Sequence, residues 1–287
     1  MSNKDDFLLV THHSLPITRP NEQLMWNIIE YDEVASTNLL VKEQWALSAV
    51  HHGDVLQARH QTAGRGRIAN RIWHDEPGSS LLMSVVIERV PVSAPLMQYR
   101  VAVSLITALR SLAKGLPASS TMRAAFALKW PNDILLGGRK VSGILSEGIW
   151  QSQDLLAMIV GIGVNVRQKV FAGAIQASAI SLLQVGITAS VNEVRDVILG
   201  ILEDDLLSMA TGTIDEQQLI EQVRSELAWM SELEPFDVII GEGSVLRNMT
   251  YEGVTDFGLL ALRHEDGTRT VINAGSLELA DALKEVK

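Results

Sequence analysis

Short runs of apolar residues, bounded by glycine, proline or small polar residues, recur along most of the chain. These runs are rich in β-branched and aromatic side chains, a composition typical of strands buried in a sheet. The pattern predicts strands at residues 26–31, 54–59, 81–90, 125–130, 141–147 and 155–166.

Apolar residues spaced by three or four positions predict helices between and after these strands. The first helix follows Ser36, Thr37 and Asn38, which can cap its N-terminus, and its apolar residues include Leu47. Further helices are predicted at residues 95–115, 191–209 and 214–230. Strands that alternate with helices in this way predict an α/β (α+β) body.

The pattern changes after Pro235, where short strand-like runs alternate with glycine turns. Such spacing predicts a small β-barrel appended to the body. At the other end of the chain, residues 1–26 have no sustained periodicity and read as a partly ordered leader. The chain is therefore predicted to divide into a leader (1–26), a main domain (27–232) and a C-terminal domain (233–287).

Composition narrows the class of protein. The chain has 287 residues, of which 47% are hydrophobic and 20% charged, as expected of a globular protein with a buried core. A net charge of -10 leaves no basic face for nonspecific nucleic-acid binding, and the absence of cysteine excludes disulfides and thiolate metal sites. Neither a signal peptide nor an apolar run long enough to cross a bilayer is present, so we expect a soluble, cytoplasmic protein.

The segment 61–73 (Gln-Thr-Ala-Gly-Arg-Gly-Arg-Ile-Ala-Asn-Arg-Ile-Trp) concentrates positive charge in an acidic chain. Its glycines let backbone N–H groups approach an anion closely, and its arginines can bind phosphate or carboxylate oxygens bidentately. Trp73 adds an aromatic face. We refer to residues 64–73 as the basic loop. An anion-binding loop and a flexible, solvated basic turn are the two interpretations that these residues allow. The residues concerned are Gly64, Arg65, Gly66, Arg67 and Arg71.

Three other motifs carry polar residues at the ends of predicted strands. The first joins a cation, an amide and a carboxylate around a proline turn, which suits phosphate binding and proton handling. The second places a cation before a glycine that can admit a ligand against the backbone. The third lacks the last glycine of a dinucleotide-binding fingerprint. Surface solvation of the lysines and a turn role for Asn165 are the structural alternatives. The motifs are Lys129-Trp130-Pro131-Asn132-Asp133, Arg139-Lys140 with Gly143, and Gly161-Ile162-Gly163-Val164-Asn165.

Taken in order, these motifs resemble the biotin–protein ligases, also called biotin–[acetyl-CoA-carboxylase] ligases or holocarboxylase synthetases. The resemblance covers about residues 27–279 and rests mainly on Gly-Arg-Gly-Arg at 64–67 together with Lys-Trp-Pro-Asn-Asp at 129–133. It implies a mixed sheet with helices similar to class II aminoacyl-tRNA synthetases, followed by an SH3-like barrel.

The resemblance also implies a two-step, ATP-dependent reaction. Biotin and MgATP would form biotinyl-5′-AMP, and a lysine on the biotin carrier domain of acetyl-CoA carboxylase or a related carboxylase would then accept the biotin. Neither nucleic acid nor a membrane is an expected partner. Mg²⁺ is expected to arrive with ATP, with no metal site fixed by the protein alone.

Site residues follow from the same resemblance, position by position. Biotin would be bound by Ser36, Thr37, Asn38, Gln61, Gly64, Arg65, Lys140 and Gly143. ATP and the adenylate would be bound by Arg65, Arg67, Trp73, Lys129, Asn132 and Asn165. The catalytic set would be Arg67, Lys129, Asp133 and Lys140.

Elementary chemistry supports this set of residues. A carboxylate that attacks an α-phosphate needs cations to neutralise both reactants, and Arg65, Arg67, Lys129 and Lys140 can supply them. Asp133 is a candidate to orient the acceptor lysine and take its proton, because a free lysine is almost fully protonated at neutral pH.

The chain departs from the family pattern in two places. The stretch between Arg67 and Trp73 is one residue longer than usual, which displaces Arg71 from the family position. Residues 1–26 are too short and too rich in proline for a helix-turn-helix domain, so we expect a monofunctional ligase without operator binding.

Other functions remain as alternatives at this point. A lipoate–protein ligase would use the same adenylate chemistry but with a different anion loop. A non-enzymatic carrier or sensor of biotin would not need Asp133 and Lys129. A nucleic-acid-binding module is disfavoured by the acidic charge balance.

Overall fold

The structure, a computed structural model, describes residues 9–14, 26–67, 72–88, 90, 92–117, 120, 125–171, 173–240, 243–273 and 275–278. The inserted segment around Arg71 and most of the predicted leader lie outside the described residues. Among the described residues, no helix combines the length and the apolar character needed to span a bilayer.

The main element is an eight-stranded mixed sheet in the order β1-β2-β3-β4-β8-β7-β6-β5. Adjacent strands of this sheet are antiparallel, except β2 and β3, which are parallel. The prediction of a mixed α/β fold is confirmed. The strands are β1 (Leu9–Ser14), β2 (Asn27–Val34), β3 (Asp54–Gln61), β4 (Ser80–Glu88), β5 (Phe126–Lys129), β6 (Asp133–Leu136), β7 (Arg139–Gln151) and β8 (Asp154–Asn165).

Two of these strands were not predicted from the sequence. Strand β6 is only four residues long and follows the turn at Pro131 directly, so its apolar pattern merges with that of β5. Strand β1 lies inside the predicted leader and pairs antiparallel with β2. The polar composition of β1 conceals it, since an edge strand does not require a continuous apolar run.

In the described part of the chain, four α-helices pack against the large sheet: α1 (Thr37–Ala46), α2 (Ala94–Ala113), α3 (Val191–Ala210) and α4 (Glu216–Leu227). Ser190 with Glu193, and Asp215 with Gln218, form capping boxes at the starts of α3 and α4. The expected contribution of Leu47 to the first helix is wrong, because α1 ends before it and its side chain is 74% exposed.

A second, five-stranded antiparallel sheet follows the helices in the order β12-β11-β10-β9-β13. Strand β10 is long and bulged, and it pairs with β11 over one half and with β9 over the other. The strands are β9 (Phe236–Ile240), β10 (Ser244–Val254), β11 (Leu260–Arg263), β12 (Arg269–Ile272) and β13 (Ser276–Glu278).

One continuous hydrophobic cluster joins the two sheets. It extends from β2 through α2, α3 and α4 to side chains of the second sheet such as Phe236, Met249 and Leu260. A smaller cluster fills the space between α1 and the opposite face of the large sheet. The second sheet is therefore packed into the core of the protein, and its loops reach the cavity described next.

Candidate functional site

A cavity of about 510 Å³ opens at one end of the large sheet, next to the N-terminus of α1. Every residue predicted for the site lines this cavity except Gly64, which lies behind the wall and accepts a hydrogen bond from the Trp73 N–H at 3.0 Å. The residues in the wall are Ser36, Thr37, Asn38, Gln61, Arg65, Arg67, Trp73, Lys129, Asn132, Asp133, Lys140, Gly143 and Asn165.

A buried polar cluster forms the α1 side of the cavity. The side-chain oxygen Oε1 of Gln61 accepts a hydrogen bond from the Thr37 N–H at 2.7 Å, and the Thr37 hydroxyl lies 3.2 Å from the same oxygen. Ser84 Oγ, which is fully buried on β4, lies 2.7 Å from Thr37 Oγ1 and 2.6 Å from Asn38 Oδ1. These contacts fix the rotamers of Thr37 and Gln61, so their remaining polar groups are pre-organised for a ligand.

Both polar atoms of the Asn38 side chain bond to protein groups, Oδ1 to Ser84 and Nδ2 to two partners on β7. Its Nδ2 donates to the Leu145 carbonyl at 3.0 Å and to Glu147 Oε2 at 2.8 Å. The other carboxylate oxygen of Glu147 forms an ion pair with Lys42 at 2.5 Å. Asn38 therefore connects α1 to β7 beneath the cavity, a role that the sequence-based assignment to biotin did not include.

The indole of Trp73 packs against the backbone of two adjacent strands, β7 and β8. A Cβ built on Gly163 would stand 2.9 Å from Trp73 Cζ2, and one built on Gly143 would stand 3.3 Å from Cζ3. Both distances are tighter than ordinary contact, so only glycine lets the indole approach the backbone here. The Nε1 atom of Trp73 is buried and has no hydrogen-bond partner among the described residues.

The indole of Trp73, predicted to bind adenine, thus packs beside Gly143, predicted to line the biotin pocket. The basic loop brings it there through a short antiparallel pairing of Arg65 with Ile72. The intervening residues 68–71 lie outside the described part of the chain.

Lys140 and Asp133 face each other inside the cavity. Lys140 Nζ lies 2.7 Å from Asp133 Oδ1 and 5.6 Å from the centroid of the Trp73 ring, so the ammonium group contacts both a carboxylate and an aromatic face. Asp133, the first residue of β6, lies opposite Gly143 of β7, and Lys140 is the second residue of β7. A Cβ on Gly143 would stand 3.0 Å from Lys140 Nζ, so the missing side chain of this glycine leaves room for Lys140 to reach Asp133.

The turn that carries Lys129 and Asp133 is fixed by several contacts. Its Trp130–Pro131 peptide is cis. Asn132 exchanges two hydrogen bonds with Ile144, from its side-chain Nδ2 to the Ile144 carbonyl at 2.7 Å and from the Ile144 N–H to its carbonyl at 2.9 Å. The amide of Asn132 is therefore already used within the protein, like that of Asn38.

Asn165, at the end of β8, has a similar arrangement. Its Nδ2 donates to the Lys140 carbonyl at 3.3 Å and to the Ile180 carbonyl at 3.1 Å. These bonds tie the strand that carries Lys140 to the segment after β8, which forms another wall of the cavity.

The second sheet reaches the cavity through the loop between β12 and β13. A guanidinium nitrogen of Arg67 donates to the Gly275 carbonyl, and Ser276 is part of the cavity wall. The basic loop is thus connected to a residue that lies 208 positions later in the chain.

Sequence reasoning missed several residues of the wall or its support. Ser84 had a visible signal, as a polar residue inside a strongly apolar strand, and Glu147 is a carboxylate at the end of a predicted strand. The segment that contributes Phe171, Ile175 and Ala179 has no periodic pattern, so nothing in the sequence pointed to it.

Comparison with known proteins agrees with the motifs. Residues 31–165 match the model of the biotin/lipoate A/B protein ligase family. The chain is 32% identical over 149 residues to the bifunctional ligase/repressor BirA of Bacillus spizizenii, a match that covers 51% of this chain and 43% of that protein. The chain thus spans about half the length of that relative.

Two further relatives match over more of their length. The biotin–[acetyl-CoA-carboxylase] ligase of Paracoccus denitrificans is 32% identical over 224 residues, which cover 75% of this chain and 85% of that protein. The biotin protein ligase from Aquifex aeolicus, solved in complex with biotin and ATP, superposes with a TM-score of 0.69 at 26% identity, covering 88% of this chain and 97% of that one. Together with the cavity motifs, these matches place the chain in the biotin–protein ligase family.

Proposed function

We propose that the protein is an ATP-dependent biotin–protein ligase that forms biotinyl-5′-AMP and transfers the biotin to a lysine of a biotin carrier domain. The observation that carries this proposal is the cavity itself. Cationic groups from three separate segments, Arg65 and Arg67, Lys129, and Lys140, line it together with the carboxylate of Asp133. Family membership gives the reaction class that suits this arrangement.

Biotin would occupy the side of the cavity formed by Ser36, Thr37, Gln61 and the backbone of Arg65. Hydroxyl, amide and backbone groups there can pair with the polar groups of the ureido ring. Asn38 would act by holding this side in place. The glycine-lined floor at Gly143, together with the Trp73 indole, offers an apolar surface for the fused rings.

In the first step, an oxygen of the biotin carboxylate attacks the α-phosphorus of ATP and pyrophosphate leaves. Negative charge is present on both reactants and spreads in the transition state, so pre-placed cations lower the barrier. Lys140 would contact the biotin carboxylate or the α-phosphate. Arg67 and Lys129 would stabilise the phosphate oxygens, and Asn132 and Asn165 would shape the adenine end.

Mg²⁺ fits this cavity as a companion of ATP. Among the described residues that line the cavity, Asp133 supplies the one carboxylate, and this carboxylate is paired with Lys140. Magnesium commonly binds through one or two carboxylates and the phosphates of its substrate. The nucleotide would therefore supply most of its ligands, and the ion would neutralise charge on the departing pyrophosphate.

In the second step, the amine of the acceptor lysine attacks the carbonyl of the mixed anhydride. A new amide bond forms, the bond to the phosphate oxygen breaks, and AMP leaves. Asp133 would accept a proton from the amine, which must be lost for the nitrogen to attack. Binding of an anion next to Lys140 would draw this lysine away from Asp133 and release the carboxylate for that role.

The acceptor would be the biotin carrier domain of acetyl-CoA carboxylase or a related carboxylase, and the reaction would take place in the cytoplasm, where MgATP is available. We further propose that residues 27–232 form the catalytic domain, similar to class II aminoacyl-tRNA synthetases. Residues 233–287 would form an SH3-like barrel around the second sheet.

Adenylate formation by the protein alone tests the first half of the reaction. The purified protein is incubated with biotin and MgATP, and the mixture is analysed by mass spectrometry for biotinyl-5′-AMP. Formation of the adenylate in proportion to the enzyme supports the proposal. A parallel incubation with lipoate tests the related lipoate–protein ligase function, and adenylation of lipoate in place of biotin would overturn the assignment of substrate.

A further inference from the structure

A buried chain of hydrogen bonds joins the second sheet to the turn that carries Lys129 and Asp133. Trp130 Nε1 donates to the Tyr99 hydroxyl at 2.9 Å, and this hydroxyl donates to the Gly258 carbonyl at 2.8 Å. Tyr99 lies on α2, and Gly258 lies in the turn between β10 and β11. The three groups belong to parts of the chain that are distant in sequence.

Burial makes these hydrogen bonds consequential. Tyr99 and Trp130 are each only 3% exposed, so neither the hydroxyl nor the indole N–H can turn to bulk water for a partner. Burial also raises the pKa of Tyr99 well above its usual value, so the phenol keeps its proton, and with it the donor for the Gly258 carbonyl, even in alkaline buffer. A buried polar group that loses its partner is costly, which gives this chain of bonds one preferred geometry.

Trp130 is also part of the cavity wall, between the two residues that the reaction needs. Its indole is fixed on one side by Tyr99, while Trp229 Nε1 donates to the Leu128 carbonyl at 2.9 Å on the preceding strand. The turn between β5 and β6 is therefore oriented from outside the cavity by groups that themselves do not line it.

We propose that Tyr99 is a positioning residue for the reaction: it fixes Trp130, and through it the placement of Lys129 and Asp133, against the second sheet. This inference rests on the proposed ligase function. It gives the second sheet a role in the reaction. Among the described residues, this sheet supplies a single residue of the cavity wall, Ser276.

The direct test is Tyr99→Phe, which keeps the ring and removes the hydroxyl. We expect the rate constant of adenylate formation to fall about tenfold, since small displacements of catalytic groups are costly. The Kd for biotin should change less than about twofold, because Thr37 and Gln61 lie on the other side of the cavity. Tyr31→Phe, on β2 in the smaller hydrophobic cluster, is the matched control and should leave both quantities unchanged.

A second pair of variants addresses the same contact from the other side. Gly258 has φ +76°, and a Cβ there would stand 3.0 Å from Tyr99 Cε2. Gly267 has φ +86°, and a Cβ there would meet no atom within 4 Å. Gly258→Ala and Gly267→Ala therefore carry similar backbone strain, but only the first displaces Tyr99. We expect only Gly258→Ala to slow adenylate formation.

Amide hydrogen exchange supplies a readout that does not depend on activity. Tyr99→Phe should raise the exchange rate across residues 128–136 and at the Ile144 N–H, which is bonded to Asn132. Unchanged exchange there, or a lower melting temperature with an unchanged rate constant at 25 °C, would overturn the positioning role. If the wild-type protein formed no adenylate, the ligase function would fail, while the exchange data would still decide whether Tyr99 fixes the turn.

Discussion

At the scale of single residues, the ion pair of Lys140 with Asp133 is the most informative feature of the cavity. With Lys140 Nζ 2.7 Å away, Asp133 Oδ1 is occupied by the ion pair and is not free to contact the acceptor amine. In the reaction proposed above, the same lysine turns to the anionic adenylate. The pair would thus link ligand binding to the second step, since Asp133 would become available once a bound anion, the biotin carboxylate or the adenylate phosphate, holds Lys140.

Asp133→Asn tests this division of roles. We expect adenylate formation to persist, because Lys140 is retained, and transfer to the carrier lysine to fall on the order of 10²-fold, the lower range for a lost general base. Single-turnover measurements of each step will separate the two effects. Asp154→Asn, at the opposite end of β8 from Asn165, should alter neither step, and an equal loss in both steps for Asp133→Asn would contradict the assignment.

Gly163→Ala tests the packing of the Trp73 indole against the backbone of β8. The added methyl group would lie 2.9 Å from the ring, so the indole must shift into the cavity, and we expect the Kd for biotin to rise about tenfold. Gly200→Ala is the control, because a Cβ at this position in α3 would meet no atom within 4 Å. Calorimetric titration with biotin measures both, and an unchanged Kd for Gly163→Ala would show that the indole does not border the ligand.

Much of the cavity wall could be predicted at this scale, since local motifs carry the chemistry of the family. The hydrogen-bond partners could not. Asn38 and Asn165 were assigned to ligands from their motifs, but their amide groups bond to carbonyls of residues that are adjacent only after folding. The sequence shows that an amide side chain is present. The folded arrangement of the strands determines which carbonyl groups accept hydrogen bonds from that side chain.

At the scale of elements, the two described ends of the basic loop pair with each other in antiparallel fashion and do not form an open turn. Arg65 pairs with Ile72, and Gly64 with Trp73, so these ends are held together by the backbone. Like charges on Arg65 and Arg67 still repel each other in the absence of an anion. The loop is therefore expected to be anchored at its ends and to gain order when an anion binds.

Hydrogen exchange across residues 64–73 measures this ordering. We expect the Trp73 N–H, bonded to the Gly64 carbonyl, to be partly protected without ligand. Protection of the whole loop should increase with biotin and increase further with biotinyl-5′-AMP, because only the adenylate brings a phosphate to the arginines. Full protection of the whole loop without ligand would instead indicate a rigid, preformed anion site.

The stability of the second sheet should depend on pH through the partly buried Tyr251. Burial raises the pKa of Tyr251 to about 12, above its value of about 10 in an unfolded chain. Stability from the neutral phenol is therefore complete below about pH 10 and is lost as the pH rises toward 12, by an amount that solvent screening of this partly exposed side chain reduces. Denaturant unfolding at pH 9, 10 and 11 should show a shallower decline for Tyr251→Phe. Identical declines would contradict the burial of this phenol.

Element prediction succeeded where the apolar pattern was strong and unbroken. The 20-residue helix α2 matched its predicted span closely because Met97, Val101, Leu105 and Leu109 repeat every four residues and are buried, and the middle of the helix is buried on all sides. Strand β6 was missed because a four-residue strand directly after a proline turn carries too few residues for a period to be recognised. Strand β1 was missed because pairing with β2, rather than its own composition, defines it.

At the scale of the whole molecule, the two sheets share one hydrophobic cluster and meet again at the cavity. Arg67 bonds to the Gly275 carbonyl, and Tyr99 connects Gly258 to Trp130. The sequence predicted a small β-rich segment after residue 235 but could not predict these contacts, since they join residues far apart in the chain. These contacts make the second sheet part of the support of the site, so both sheets contribute to the cavity.

The ligase function is tested most directly by the mass of a biotin carrier domain after incubation with the protein, biotin and MgATP. We expect a gain of one biotinyl group per carrier domain. This gain should be absent when ATP or biotin is omitted and when the acceptor lysine is replaced by arginine. An unchanged mass in the complete mixture, with the same carrier domain modified by an established biotin–protein ligase, would contradict it.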